Sequence, residues 1–494
     1  MTETNSRASA PAAEVPRRAW QALVVLLLGM FMALLDTTIV NVALPTIETS
    51  LDASEATLSW IISGYALAFG LALIPAGKVG DRVGHKWVFF AGLALFTVAS
   101  FACGLAQNDI QLVAARIVQG LAGGIFVPAV TAFIQLLFPG PVRGKAFAIM
   151  GAVIGVSTAL GPIAGGLIIE AFGNENGWRG VFWVNLPIGV VGLVAAAFLL
   201  PKRSESQEPA QTGIDWIGLL LVTAGLVALL VPLIEGQEQG WPLWTYLTLA
   251  AGVLLIAAFG AWEVFYTKRG NNPLVPPKLF THPAFTGGTI LALVYFASFT
   301  SIFFTLSLLW QSGLGNSALS SGAVMLPFAI GSIIASSQSN TLTQKLGRTV
   351  LLLGTTFVAV SLIWMWILLS TTDPSDLTHW KLLVPLLIGG LGNGAFIAPN
   401  AQFIVATVDR QDAGAASGVI STMQRIGSAV GIAVIGSVLF GSLNITGPDT
   451  VASGFMHAAS VAMSVSAGFG VVALLLVFAL PKHVDTPGAP ARSR

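Results

Sequence analysis

Apolar residues in this chain collect into fourteen long stretches divided by short polar gaps, and the Lys and Arg residues gather in every second gap. A helix needs about 20 apolar residues to cross a roughly 30 Å hydrocarbon core. The pattern therefore predicts membrane-spanning helices near 20–45, 57–77, 87–106, 109–137, 145–171, 180–200 and 214–234, then 243–265, 285–308, 317–337, 349–370, 380–407, 413–440 and 456–480. The runs are continuous and do not alternate over ten-residue segments, which argues against a transmembrane barrel. The expected fold is all-α and polytopic.

Charge fixes the orientation. With the N-terminus in the cytoplasm, nineteen of the twenty-three Lys and Arg fall on the inner side, including Lys78, Arg82, Lys86, Arg143, Lys145, Lys202, Arg203, Lys268, Arg269, Lys345, Arg348 and Arg410. Only Arg179 and Lys381 fall outside, while Arg116 and Arg425 lie inside spans. This positive-inside bias places both termini in the cytoplasm and the chain in the cell inner (plasma) membrane, with an even number of crossings.

Composition agrees with lipid as the main solvent: the 494 residues are 55% hydrophobic and 9% charged, with a mean hydropathy of +0.82, against roughly 25% charged in soluble domains. The net charge of +1 gives no reason to expect nucleic acid as a partner. One cysteine, Cys103, excludes a disulfide framework or a multi-cysteine metal site and reads as a small packing residue. The basic, Ser- and Ala-containing start before span one superficially resembles a secretory signal, but the run is too long and thirteen spans follow.

The chain also resembles itself. At an offset of 270, Gly120, Leu121, Gly124 and Phe126 fall on Gly390, Leu391, Gly394 and Phe396, and Gly144, Gly161 and Gly166 fall on Gly414, Gly431 and Gly436. At an offset of 263, Asp81 to Gly84 matches Gln344 to Gly347. These matches predict a tail at 1–19, a six-helix bundle at 20–203, a linker and inserted hairpin at 204–284, a second six-helix bundle at 285–480, and a tail at 481–494, both tails disordered. Paired halves are the usual construction of secondary transporters, in which two bundles rock about a midplane site.

Away from span ends only Asp36, Arg116 and Arg425 are ionisable. Each costs roughly 2.5 to 3.5 kcal/mol near a helix centre unless it has a partner or a task. Asp36 stands nine residues before Pro45 and Arg116 seven after Asp109, so the two share a layer. Burial favours the neutral acid while a guanidinium favours the carboxylate, the balance a proton carrier needs. Two readings follow: a proton-coupling pair, or a permanent ion pair holding spans one and four together. Arg425, beside Gln424, either faces a cavity or packs against carbonyls of span twelve.

After span two, Gly77-Lys78-Val79-Gly80-Asp81-Arg82-Val83-Gly84-His85-Lys86 resembles the loop signature of the major facilitator superfamily. The resemblance implies a conformational latch formed by Gly77, Gly80, Asp81, Arg82 and Gly84. In span four, Arg116 to Gly120 resembles the superfamily element whose Arg is associated with proton relay. In span five, Gly151 and Gly155, followed by Gly161-Pro162-Ile163-Ala164-Gly165-Gly166, look like the antiporter motif of drug exporters. The segments Leu35 to Pro45 and Trp178 to Pro187, with the inserted hairpin, resemble the fourteen-span drug:proton antiporter family. That resemblance implies protons and amphipathic, cationic small molecules as the transported partners, no cofactor and a monomer in the lipid bilayer. The second acid that some relatives bury in the C-terminal bundle is missing here.

A cavity for such cargo combines aromatic faces with hydrogen-bonding groups. Candidates are Trp60, Tyr65, Gln119, Phe126, Trp310, Gln311, Asn393, Phe396, Asn400 and Arg425. Rival readings are a dedicated exporter of one metabolite or antibiotic, a proton-nutrient symporter, and an intramembrane enzyme or channel. The last lacks paired catalytic residues, metal ligands and a nucleotide-binding loop.

Overall fold

The computed structural model describes residues 15–138, 140–173, 175–201, 213, 215–236, 239–406, 408, 413–478 and 480; the side chain of Asp81 and the surroundings of Gly155 fall outside that description, as do most of both tails and of the linker. Sixteen α-helices run through it. In the first half these are α1 (Arg17–Leu51), α2 (Glu55–Val83), α3 (His85–Leu105), α4 (Asp109–Leu137), α5 (Gly140–Phe172), α6 (Gly177–Trp183) and α7 (Asn185–Leu199). Next come α8 (Trp216–Glu235) and α9 (Leu243–Lys268). The second half holds α10 (Pro283–Leu308), α11 (Ala318–Val324), α12 (Leu326–Leu346), α13 (Thr349–Thr371), α14 (His379–Ala406), α15 (Ala413–Gly441) and α16 (Val451–Phe478).

Thirteen helical spans among the described residues are long and apolar enough to cross a bilayer, and α5, a 33-residue helix whose described apolar part is Leu160–Phe172, makes a fourteenth crossing. Spans six and ten are each broken in two, at Val184 and Met325, where the sequence pattern predicts single helices. A Pro follows each break at the start of the next helix, Pro187 and Pro327, where its missing amide costs little.

The two halves repeat one packing scheme. In the first, α2 packs on α4, α3 on α4, and α1 on α5; in the second, α12 packs on α14, α13 on α14, and α10 on α15. Gly120 lies against the Tyr65 carbonyl and Gly390 against the Phe328 carbonyl, and Gly124 and Gly394 do the same with Phe69 and Ser332. A side chain at any of the four would strike backbone, so absence of one is what lets these helices touch. Gly84 (φ 98°) and Gly347 (φ 54°) turn the chain between α2 and α3 and between α12 and α13 in conformations that favour glycine. Just beyond each turn a cation caps a distant helix end: Lys86 Nζ donates to the Ala197 and Leu200 carbonyls (2.7 and 2.8 Å), and Arg348 donates to the Leu480 carbonyl.

The halves meet along two seams, α2 with α15 and α5 with α11 and α12. Helices α8 and α9 form a hairpin that covers the first seam, where Leu226, Leu230 and Ile234 bury Ala66, Leu67, Ile426 and Ala433. Trp60 Nε1 donates to Glu235 Oε1 across that contact (2.8 Å). At the other end of the hairpin, Asp215 caps α8 and accepts from Trp262 Nε1 (2.9 Å).

One face of the molecule is closed. Opposite the face where α1 begins and α16 ends, Ser307 Oγ donates to the Asn41 carbonyl (2.6 Å) and Gln311 Nε2 to the Val42 carbonyl (3.1 Å), joining α10 to α1. Residues 38–47 of α1, and 301–308 of α10 with the two that follow it, are buried without interruption. Toward the termini both helices carry exposed or part-exposed positions, Gln21, Val24, Leu28, Phe31, Leu34 and Thr37 on α1, and Thr286, Gly287, Ile290, Leu293, Val294, Phe296 and Thr300 on α10. These positions end at Thr37 and Thr300, 263 residues apart, the offset that also relates Gly84 to Gly347. The two bundles therefore splay into a cleft open toward the termini.

Candidate functional site

The ionic site lies inside the N-terminal bundle, at the level where the part-exposed positions of α1 end: Asp36 directly precedes Thr37, the last of them. Asp36 is fully buried and Arg116 nearly so (0% and 1% exposed), with Asp36 Oδ2 2.5 Å from Arg116 Nη1. The same Nη1 donates to Gln119 Oε1 (2.7 Å), and Arg116 Nε donates to the Ile61 carbonyl of α2 (3.1 Å). Gln119 and Asn185 each donate an amide N–H to Asp36 Oδ1 (2.9 Å in both cases). Both amides also donate to Ser100 Oγ (3.1 and 2.9 Å), whose hydroxyl donates to the Phe182 carbonyl (2.8 Å). The Arg116 guanidinium rests on the Tyr65 ring at 4.0 Å, and Tyr65 is held by its hydroxyl on the Ala33 carbonyl (3.2 Å).

Local sequence explains these positions. Asn108 caps α4 by accepting from the Gln111 amide (2.9 Å), setting the register that puts Arg116 and Gln119, three residues apart, on one face toward α1. The break at Val184 starts α7 at Asn185, so that a residue at a helix start turns its amide into the bundle. Ser100 and Asn185 complete a shell in which the carboxylate accepts three N–H bonds and the pair is neutral as a unit. Such a pair is costly to break from one side only. No part of the carboxyl is open to solvent here.

The expected cavity residues go elsewhere, with one exception. Tyr65 and Gln119 belong to the ionic site. Trp60 turns to the hairpin, drawn by Glu235. Phe126 is buried between Phe89 and Phe96 (5.6 and 5.8 Å), and Phe396 stacks on Tyr295 at 3.8 Å. Asn393 accepts from the Tyr295 hydroxyl (3.0 Å) and donates to Ser332 Oγ (3.0 Å), and Asn400 donates to the Gly288 carbonyl (3.3 Å), all within the C-terminal bundle. Trp310, donating to Ser320 Oγ (2.9 Å), and Gln311 belong to the closed face. Polar and aromatic side chains bind helices of one bundle together as readily as they line a cleft.

Arg425 is the exception. It is part-exposed, and its guanidinium lies 4.1 Å over the Phe69 ring with no hydrogen bond or carboxylate among the described residues, so the packing on span-twelve carbonyls is not what holds it.

The span-five motif joins three helices: Gly161 and Gly165 face Thr38 and Ile39 of α1, Gly166 faces Ala318 and Leu319 of α11, and Gly322 sits on the Pro162 carbonyl. Gly151 faces open space. In the loop motif, Gly77 is also open, Gly80 lies against the His85 ring, Gly84 makes the turn, and Arg82 is exposed. The Asp81 side chain lies outside the described residues.

Residues 26–432 match the family profile of the Major Facilitator Superfamily. This chain belongs to that superfamily. Its superfamily relatives include the probable actinorhodin transporter of Streptomyces coelicolor, 36% identical over 89% of this chain and 76% of the relative. The tetracenomycin C resistance and export protein of Streptomyces glaucescens is 32% identical over 90% of this chain and 81% of its own. A puromycin resistance protein of Streptomyces alboniger is 32% identical over 97% and 96%. Among solved structures of the same fold, a peptide transporter described as the POT family in an autoinhibited form superimposes with a TM-score of 0.69 at 14% identity, covering 96% of this chain and 99% of that one. The protein is a multi-pass membrane transporter of the superfamily and not an enzyme.

Proposed function

We propose that this protein is a proton-coupled antiporter that exports amphipathic small molecules, antibiotics among them, across the cytoplasmic membrane by alternating access, with both termini in the cytoplasm. The observation that carries this reading is the buried Asp36 network, sealed inside the bundle next to Thr37, where the cleft ends. In the state described, the closed face points outward and cargo enters from the cytoplasm between the splayed bundles. Rocking of the bundles then opens the α1–α10 closure and loosens the Arg116 hold, giving Asp36 a proton from outside. Return to the inward-open state delivers that proton inside. The loop with Gly77, Gly80, Asp81, Arg82 and Gly84 latches the opposite state, and the α5 glycines form the bearing on which α1 and α11 move.

The named relatives support export, and each carries one compound in its name, which favours the narrower reading of a dedicated antibiotic exporter. The family resemblance implies a cationic cargo. No carboxylate lies among the exposed positions of α1 or α10 toward the termini, and α15 contains none, so the geometry supports an amphipathic cargo without supporting a positive one.

The test is drug resistance and proton exchange in one strain. A hypersusceptible host expressing the protein is challenged with puromycin, tetracenomycin C and methylenomycin A, and everted vesicles are monitored for proton release when the protective compound is added. Asp36→Asn is expected to abolish both resistance and exchange. Proton exchange that persists undiminished in Asp36→Asn removes Asp36 from the coupling step.

A further inference from the structure

Helix α15 has four faces, and three are accounted for. At about 100° per residue, Ile426, Val430 and Ala433 point to the hairpin, where they pack with Leu226 and Leu230. Thr422 and Ala429 point to α2, the first donating to the Gly70 carbonyl (3.1 Å) and the second accepting from Ser63 Oγ (3.2 Å). Gly427 and Gly431 rest on the Leu293 and Ala297 carbonyls of α10. The fourth face carries Gly418, Ser421 and Gln424, with Arg425 at its edge toward α2, where its Cβ lies against Gly70; all four are part-exposed. A lipid-facing stripe is apolar, whereas this one is small, polar and charged, so it borders the water-filled cleft.

Arg425 is therefore a fixed cation on the cleft wall, without a partner acid among the described residues, beside an aromatic ring. The other embedded cation, Arg116, is neutralised by Asp36. We propose that Arg425 is the docking point for an acidic group of the cargo, so that the exported compounds are amphipathic anions, aromatic molecules bearing a carboxylate or an ionised phenol. The guanidinium presents planar donors suited to a carboxylate. Phe69 keeps the cation in place through its ring face when the cleft is empty. An anion arriving there gains a charge partner beside low-dielectric walls, while a cation is repelled. The inference rests on the exporter reading and narrows its cargo.

Its test measures the potential of the cleft directly, without transport. Ser421→Cys places a thiol one turn from Arg425 on the same stripe; Cys103, the native cysteine, is fully buried and serves as background. In lipid nanodiscs, its reaction rates with an anionic reagent, 2-sulfonatoethyl methanethiosulfonate, and a cationic one, 2-(trimethylammonium)ethyl methanethiosulfonate, are each divided by the rate with a free thiol. The anionic reagent is expected to be favoured by about tenfold or more, retained in Arg425→Lys and lost in Arg425→Gln. Equal ratios in all three proteins, or a preference for the cation, overturn the proposal. Gly418→Cys repeats the measurement one turn further on if Ser421→Cys does not fold. Protection of the thiol by 9-anthracenecarboxylate but not by 9-anthracenemethylammonium is the expected cargo result; protection by the ammonium alone overturns it. Because labelling needs no proton coupling, these outcomes stand apart from loss of exchange in Asp36→Asn.

Discussion

The N-terminal and C-terminal bundles share a backbone plan and differ in what they bury. Glycine contacts and inter-helix turns recur at matching positions, with a cationic cap just beyond each turn, yet Asp36 of the first bundle corresponds to Phe299 of the second, and Arg116 to Leu386. Where one bundle holds a carboxylate, a guanidinium and three polar side chains, the other holds the Tyr295–Phe396 stack and Asn393. Conversely, Arg425 stands where the first bundle has Gly155. Packing is thus a property of both halves, while charge is divided: a neutralised pair in one and a lone cation in the other. The same scaffold tolerates either filling because the glycine contacts, and not the polar groups, set the distances between helices.

The largest effect is expected from making the first bundle resemble the second. Asp36→Phe alone leaves Arg116 buried without its carboxylate and is expected to lower stability by about 3–5 kcal/mol, read as thermal unfolding in detergent. Asp36→Phe with Arg116→Leu, which copies Phe299 and Leu386, is expected to recover most of that loss while remaining inactive. A single variant as stable as the parent would show that the pair contributes nothing to the fold.

A smaller effect is expected at the shared contacts. Gly390→Ala forces a methyl group into the Phe328 carbonyl and Gly120→Ala into that of Tyr65, each costing about 1–3 kcal/mol in the same assay. Gly77→Ala, whose new methyl meets open space, is the control and is expected to stay within about 0.5 kcal/mol. Equal losses at Gly390 and Gly77 would mean that close approach is not what the repeated glycines provide.

The smallest effect concerns the closed face. Removing the Gln311 bond to α1 by Gln311→Ala is expected to weaken closure by about 0.6 kcal/mol, a typical value for hydrogen bonds between membrane helices. That corresponds to a roughly threefold faster reaction of Leu44→Cys, a residue buried in the closure, with an impermeant thiol reagent added outside. An unchanged rate would assign closure to apolar contact alone.

The crossings and the Asp36–Arg116 pairing were legible in the sequence because lipid punishes every exception: a charge in mid-span has to find its opposite, and depth along the helix picks out the partner. Ser100 offered no such signal, since a serine in an apolar helix can equally satisfy a carbonyl of its own turn, as Thr97 does on Leu93. Asn185 could be read as a hydrogen-bonding residue but not as a ligand of Asp36, because that depends on the break at Val184. The directions of the aromatic candidates were hidden for a related reason. Trp60, Phe126 and Phe396 have the right chemistry for a drug, but residue type does not say which way a side chain turns, and continuous apolar runs give little periodicity to orient a helix. On α15 the order Gly418, Ser421, Gln424, Arg425 is polar on one side only, and there a face can be read.

The hairpin of α8 and α9 gives a twofold scaffold a front and a back. It roofs the α2–α15 seam, while its symmetry mate, α5 against α11 and α12, has Leu160, Leu167, Ile330 and Ile334 bare to the acyl chains. A greasy solute thus meets a shuttered wall on one flank and a bare apolar one on the other.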